Sequence, residues 1–240
     1  MPRFFIENIC GDNFVITGED ARHMTKSLRM RAGEIITVSD GQGMDYGCEI
    51  TGMDEIGVHV KVLYSQPSNV EANVKVTLYQ GLPKGDKMDL IVQKAVELGV
   101  YKIVPVLTER SVSRPDGKSA AKKRERWQKI AEEAAKQSGR GLIPVVENIK
   151  TFDEITWDNC EPLKILFYEG GGAPMQAILK NYPEQIALLI GPEGGWDKNE
   201  VEVLESAGAR TATLGPRILR TETAPLAALS VVMFVTGNLG

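Results

Sequence analysis

The chain has 240 residues, of which 42% are hydrophobic and 25% charged, with a formal net charge of −4. That length buries a real core in one large domain or two smaller ones, and the composition is that of a soluble globular protein. The acidic balance argues against a uniformly basic nucleic-acid binder, and no run of about 18 uncharged apolar residues is present to span a membrane.

Cys10, Cys48 and Cys160 are widely spaced and form no C-x-x-C pair. A disulfide framework or a zinc site is therefore not expected, and a reducing cytoplasm fits best. With His23 and His59 as the two histidines, a His-based metal site has little to draw on, and no metal is expected. The segment MPRFFIENICGDN lacks a positive stretch followed by an apolar run and a small-residue cleavage site, so no secretory signal is expected.

In residues 1–69, short β-like pieces (FFI, NFVI, EIITVSDG, YGCEITGM, GVHVKVLY) are separated by Gly, Asp and Asn turns, which predicts a small barrel or sandwich. The segment GEDARHMTKSLRMRAGE interrupts them. Glu19 or Asp20 can start a short helix there and Gly33 stops it, which puts Arg22, Lys26 and Arg29 at i, i+4 and i+7 on one face, with Arg31 nearby. SQPSNVEAN, around Pro67, is polar and turn-rich and reads as a linker.

Residues 70–240 change to strand–helix alternation. VKVTLYQGL reads as a strand, DKMDLIVQKAVEL as a helix with Gly99 at its end, and YKIVPVL as a strand in which Pro105 favours an irregular or edge position. KSAAKKRERWQKIAEEAAKQSGRG reads as a helix with Trp127, Ile130, Ala131 and Ala134 on one face. IPVVENI, LKILFY, IALLI and ARTATL read as strands, and KNEVEVLESAG and TAPLAALSVVMFVTG as helices after the last two. This alternation predicts an α/β domain with a largely parallel sheet covered on both faces. Between residues 110 and 140 ten basic residues (110, 114, 118, 122, 123, 124, 126, 129, 136, 140) stand against four acidic ones (116, 125, 132, 133). That excess can attract a polyanion, and it equally suits a solvated, salt-bridged helix face.

The common phosphate and nucleophile motifs are missing: no G-x-G-x-x-G follows a strand, GLPKGDK lacks P-loop spacing, and no G-x-S-x-G appears. What stands out is three glycine-rich strand exits within about fifty residues: EGGG at 169–172, GPEGG at 191–195 and LGPRILRTETA at 214–224. A single glycine-rich turn is usually just a tight connection. Three at the carboxyl ends of neighbouring strands mark the place where sheets of this kind hold ligands. Leu214, Ile218 and Leu219 offer an apolar wall there or plain core, and Thr221 or Thr223 can cap the last helix, with Pro225 in its first turn. A helix start needs one cap; Arg220–Thr221–Glu222–Thr223 supplies more charge than that.

In this order, GLPKGDKMDLIVQKAVELGV, LLIGPEGGW and LGPRILRTETA resemble the signature segments of RsmE-type members of the SPOUT superfamily, and MPRFF with HMTKSLRMRAGE resembles their small PUA-like N-terminal β-barrel. The resemblance spans the whole chain. It implies an α/β SPOUT-type domain with a C-terminal trefoil knot, preceded by a PUA-like RNA-binding barrel. It also implies an S-adenosylmethionine-dependent methyltransferase acting on N3 of a uridine in small-subunit ribosomal RNA, working as a cytoplasmic homodimer with the last helix partly in the subunit interface. The cofactor residues so implied are Phe167, Gly191, Pro192, Glu193, Gly194, Leu214, Gly215, Ile218, Leu219, Arg220, Thr223 and Ala224. Arg3, Arg22, Lys26, Arg29 and Arg31 from the barrel, and Lys84, Arg110 and Arg114 from the larger domain, would contact RNA.

Uridine N3 carries a proton, so its methylation requires the N3 anion to be generated or stabilised. Arg220 or Arg217 can stabilise charge on the uracil carbonyls, and Glu222 or Glu193 can accept the proton. Arg220 and Glu222 are the expected catalytic pair; Glu222 could instead pair with Arg220 or favour the helix N-terminus. Two competing readings remain: methylation of another base or of a ribose 2′-OH, and an RNA-binding assembly protein without turnover.

Overall fold

A computed structural model of the protein describes residues 2–6, 9 and 11–239; Met1 and Cys10 lie outside the described residues. Internal packing divides the chain into two compact units, one of residues 1–71 with 135–143 and the other of 72–134 with 144–240. The division is therefore not a single cut near residue 69: the last turn of the basic helix and the loop after it join the first unit.

The first unit holds β1 (Arg3–Phe5), β2 (Asn13–Ile16), α1 (Gly18–Arg22), β3 (Ile35–Ser39), β4 (Met44–Met53) and β5 (Val58–Pro67). The strands form one five-stranded sheet in the order β1-β3-β4-β5-β2, antiparallel except for the parallel β1–β3 pair. Among the described residues no pairing joins β1 to β2, which stand at the two ends of the strand order. Alternation along the strands buries Phe4, Ile16, Ile36, Val38, Ile50, Val58 and Val60 in one cluster, and Met24 from the interrupting segment plugs it. The SQP of the expected linker is strand: Pro67 ends β5 opposite Met44.

The interrupting segment departs from a simple helix. α1 passes into a π-helical turn at His23–Ser27. The Thr25 hydroxyl donates to the Ala21 carbonyl at 2.8 Å, the kind of back-bonding that bends helices. The helix stops before Arg29, which takes the left-handed conformation (φ 53°) usually reserved for glycine, so Gly33 is not the stop. Arg29 thus lies beyond the helix rather than on a face with Arg22 and Lys26, although all of them and Arg31 are exposed.

The second unit follows with β6 (Lys75–Gly81), α2 (Lys87–Glu97), β7 (Lys102–Leu107), α3 (Gly117–Ser138), β8 (Val145–Val146), β9 (Lys150–Thr151), β10 (Leu163–Phe167), β11 (Ala173–Pro174), α4 (Met175–Ile178), β12 (Gln185–Ile190), α5 (Lys198–Ser206), β13 (Arg210–Thr213) and α6 (Ala224–Val235). Its sheet is parallel in every pair, ordered β11-β13-β10-β12-β6-β7-β8, with β9 also on β7. β6 and β12 are buried at nearly every position, as strands covered on both faces must be. Pro105 falls between the two short pairings β7–β8 and β7–β9, where no ladder needs its missing N–H.

The strand order fixes where a ligand can go. From β10 the chain crosses to the edge strand β11, returns past β10 to β12, then jumps back over β10 to β13, between β10 and β11, and finally places α6 against α2, β6 and β12. The carboxyl ends of β10, β12 and β13 therefore meet at a topological switch point.

Candidate cofactor and catalytic site

At that switch point a cavity of about 620 Å³ opens. Its walls are the three strand exits: Phe167 to Gly171 after β10, Ile190 to Trp196 after β12, and Ala212 to Thr221 after β13. Two contacts hold the second and third exits together. The buried Thr221 hydroxyl (6% exposed) donates to the Gly191 carbonyl at 2.9 Å, and Gln80 Nε2, from β6, donates to Thr221 Oγ1 at 3.1 Å. Gly81 is glycine because a Cβ there would lie 2.5 Å from Pro192 Cδ, and Gly215 because its φ is 107°.

The lining combines apolar faces (Phe167, Ile190, Leu214, Leu219) with backbone of the glycine turns and with Lys84, Lys87, Arg217 and Arg220 against Glu169 and Glu193. Trp196 also lines it, and its buried indole N–H has no acceptor among the described residues. Apolar walls, close-lying glycine turns and an orphaned donor fit a heteroaromatic group carrying a charged tail. The described residues contain no cluster of acids, histidines and cysteines able to hold a metal ion.

Among the cofactor residues expected from sequence, Phe167, Gly191, Pro192, Glu193, Leu214, Gly215, Ile218, Leu219, Arg220 and Ala224 line this cavity. Gly194 and Thr223 do not. The Gly194 carbonyl instead accepts from Arg110 Nη1 at 3.1 Å, and Thr223 is exposed at the start of α6. Neither expected threonine caps α6 through its side chain: Thr223 makes no cap bond and the Thr221 hydroxyl is spent on Gly191. Ile218 is 87% exposed at the rim, so it is not core.

Arg220 lines the cavity, and among the described residues its guanidinium makes no hydrogen bond or ion pair. Glu222 is set back from the lining and pairs with Lys87, not with Arg220, at 3.4 Å. Lys87 also reaches Glu193 at 2.9 Å, and the Lys84 N–H donates to the same carboxylate. Burial works to raise the Glu193 carboxyl's pKa, but these hydrogen bonds outweigh it and hold the group below its ordinary value. Lys87 was not among the residues expected from sequence. The only local signal was a cation in the first turn of α2, the end of a helix that disfavours one.

The expected RNA contacts divide. Arg22, Lys26, Arg29, Arg31 and Lys84 are exposed. Arg3 is committed to Asp45 (2.8 Å) and to the Arg140 carbonyl, Arg110 to Gly194 and Asp197, and Arg114 to the carbonyls of Thr108 and Glu109. Much of the basic 110–140 segment is likewise paired: Arg126 with Asp89, Lys129 with Glu125, Lys136 with Asp20 and Arg140 with Glu71. For these side chains the salt-bridged reading holds.

Known proteins resemble this chain along nearly its whole length. Residues 70–233 match the RNA methyltransferase domain family, and residues 16–63 the PUA domain of RNA methyltransferases. The chain is 40% identical over 253 aligned positions to ribosomal RNA small subunit methyltransferase E of Bacillus subtilis (strain 168), covering 98% of this chain and 97% of the relative. It is 34% identical to the protein of that name from Synechocystis sp. (strain ATCC 27184 / PCC 6803 / Kazusa), covering 94% and 74%. Among solved structures, ribosomal RNA small subunit methyltransferase E from Neisseria gonorrhoeae, bound to S-adenosyl methionine, superposes with a TM-score of 0.83 at 35% identity over 98% of this chain and 97% of that one. With a family match over the second unit and relatives matched along nearly its whole length, this chain belongs to the RNA methyltransferase family, in the group of ribosomal RNA small subunit methyltransferase E.

Proposed function

We propose that this protein is an S-adenosylmethionine-dependent methyltransferase acting on N3 of a uridine in small-subunit ribosomal RNA. One observation carries the reading: the cavity at the switch point presents two arginines, Arg217 and Arg220, whose side chains are uncommitted among the described residues, beside apolar walls and the glycine turns. Bound there, S-adenosylmethionine supplies an already activated methyl group. Gly191, Pro192, Leu214, Gly215, Leu219 and Ala224 would hold it through backbone groups and apolar contact, with Phe167 and Trp196 behind.

The chain's own task is then to present a uridine whose N3 is deprotonated. Arg220, unpaired and facing the cavity, stabilises the negative charge that spreads onto the uracil carbonyls as the N3 proton leaves. Glu222, whose buried Oε2 lies 3.4 Å from the Lys87 ammonium and makes no hydrogen bond among the described residues, is the acceptor assigned to that proton. Glu193 is more heavily engaged, by Lys87 and by backbone N–H, and serves the turn.

Residues 1–69, in the compact unit that also takes in 135–143, are assigned as the RNA-binding domain, and the rest of 70–240 as the methyltransferase domain. Arg22, Lys26, Arg29 and Arg31 contact phosphates in the first, and Lys84 in the second. The target base, stacked or paired in RNA, must be turned out to enter the cavity. The outward side of α6 carries Phe234, 70% exposed, beside exposed Val235, which supports a homodimer through that helix. A trefoil knot in the 191–224 region and a cytoplasmic location complete the reading.

Calorimetric titration with S-adenosylmethionine, followed by transfer of labelled methyl to isolated small ribosomal subunits and mass mapping of the modified nucleoside, tests it. Binding, incorporation and N3-methyluridine are expected. A methylated ribose or another methylated base would move the assignment within the family. Failure to bind the cofactor would leave an RNA-binding assembly protein as the better reading.

A further inference from the structure

Glu193 and Glu222 come from different walls of the cavity, the exits of β12 and β13, and both are mostly removed from water, at 24% and 18% exposure. Two carboxylates this sheltered repel each other and lose hydration, a combination a fold does not keep without a counter-charge. The counter-charge comes from a third element. Lys87, the first residue of α2, sets its ammonium 2.9 Å from Glu193 Oε1 and 3.4 Å from Glu222 Oε2, and its side chain also lines the cavity. Nothing local favours a lysine there, since a cation in a first turn opposes the helix dipole and Asp86, just before it, makes no side-chain cap.

We propose that Lys87 is a positioning residue, a clasp whose ammonium joins Glu193 to Glu222 and so fixes the two turns that wall the cofactor cavity. This rests on the cofactor reading above and adds to it the residue that keeps the walls in register. Three directions of constraint meet at one ammonium, which has three N–H donors. One hydrogen-bonds to Glu193 Oε1 at 2.9 Å, and Glu222 Oε2, at 3.4 Å, is held by charge. Without them the 191–195 turn keeps Thr221 as its tie to the third exit, and the end of that exit, at Glu222, is released.

Calorimetric titration with S-adenosylmethionine tests the clasp in wild type, Lys87→Met, Lys87→Arg, and Lys87→Met placed on a Glu193→Gln/Glu222→Gln background. Lys87→Met should weaken affinity about tenfold, Lys87→Arg should recover most of it, and the loss should largely vanish on the double-Gln background, because the partners are already gone. Unchanged affinity in Lys87→Met would overturn the proposal. So would an undiminished loss on the double-Gln background, which would mean that Lys87 touches the ligand itself. A wild-type protein that binds no cofactor would defeat the cofactor reading instead; the same set of variants, followed by urea unfolding of the ligand-free protein, then decides the clasp, with additive effects overturning it and coupled effects supporting it.

Discussion

The hydroxyl of Thr221 donates to the carbonyl of Gly191 at 2.9 Å, and that bond joins the two Gly-Pro turns from which the cavity is built. Thr221 is buried, and Gln80 Nε2 donates to the same oxygen at 3.1 Å. Thr221→Val keeps the shape but removes both a donor and an acceptor. The Gly191 carbonyl keeps only the long 3.5 Å contact from Gln80 Nε2, while Gln80 keeps the Gly81 carbonyl as an acceptor, and stability should fall by about 1 kcal/mol. Thr221→Ser should retain most of it. Urea denaturation of the two variants checks the difference; equal midpoints would mean that the hydroxyl carries no weight.

Gly81 ends β6 directly against the second turn. A Cβ at this position would sit 2.5 Å from Pro192 Cδ, 2.6 Å from Pro192 N and 2.9 Å from the Gly191 carbonyl carbon, so backbone must move. Gly81→Ala should cost about 1–3 kcal/mol and weaken S-adenosylmethionine binding more than the fold. Gly117→Ala, at the start of α3 with nothing within 4 Å, is the matched control and should be neutral or slightly stabilising. Calorimetry on both variants reads the contrast.

The Arg220 side chain has no partner among the described residues, so its removal should leave the unfolding midpoint where it is. Methyl transfer should drop by about 10²–10³ in kcat if the guanidinium stabilises charge on the uracil carbonyls. Single-turnover transfer to small subunits, with cofactor affinity measured in parallel, separates that role from binding. Wild-type turnover in Arg220→Ala would remove the residue from the mechanism and turn attention to Arg217.

The alternation of strands and helices in the second unit was legible because burial on both faces writes continuous apolar runs, and the strand exits were legible because glycine and proline punctuate them. Strand order was not legible: the jump of β13 over β10 is a long-range pairing that leaves no local trace. The same distance in sequence hid Lys87 and Gln80, whose partners lie about a hundred residues or more away. Arg3 misled for a related reason. As a lone arginine beside aromatics it reads as exposed, while its acid, Asp45, sits on a strand two places across the sheet. Thr221 was read as a helix cap because local chemistry favours that use, and a tertiary acceptor won the hydroxyl.

On the RNA side, Arg22, Lys26 and Arg29 remain exposed although the helix stops between the second and third. Phosphate contacts release counterions whatever the local backbone, so replacing all three by alanine should reduce the slope of log affinity against log salt by about 2–3. Binding titrations at several salt concentrations give the slope directly. The paired Arg3 is the contrasting case: Arg3→Ala should lower stability through Asp45 and leave the slope nearly unchanged. A slope unaffected by the triple replacement would exclude these side chains as phosphate contacts.

Glu193 gives the site a defined response to acid. Its carboxyl is held below the ordinary value of 4.5, with burial opposing and the Lys87 and backbone hydrogen bonds prevailing. A group depressed on folding contributes its stability where the unfolded state is also ionised, above about 4.5, and loses it as pH falls through the lower folded value. Other carboxylates titrate over the same range, so the wild-type curve alone does not isolate it; the difference between wild type and Glu193→Gln does. That difference should be constant from neutral pH down to about 5 and shrink below 4.5, and cofactor affinity should follow it, because the same ammonium holds the turn. A stability difference independent of pH down to the acid limit of folding would show that the Lys87 contact places no ionised carboxylate at the cavity wall.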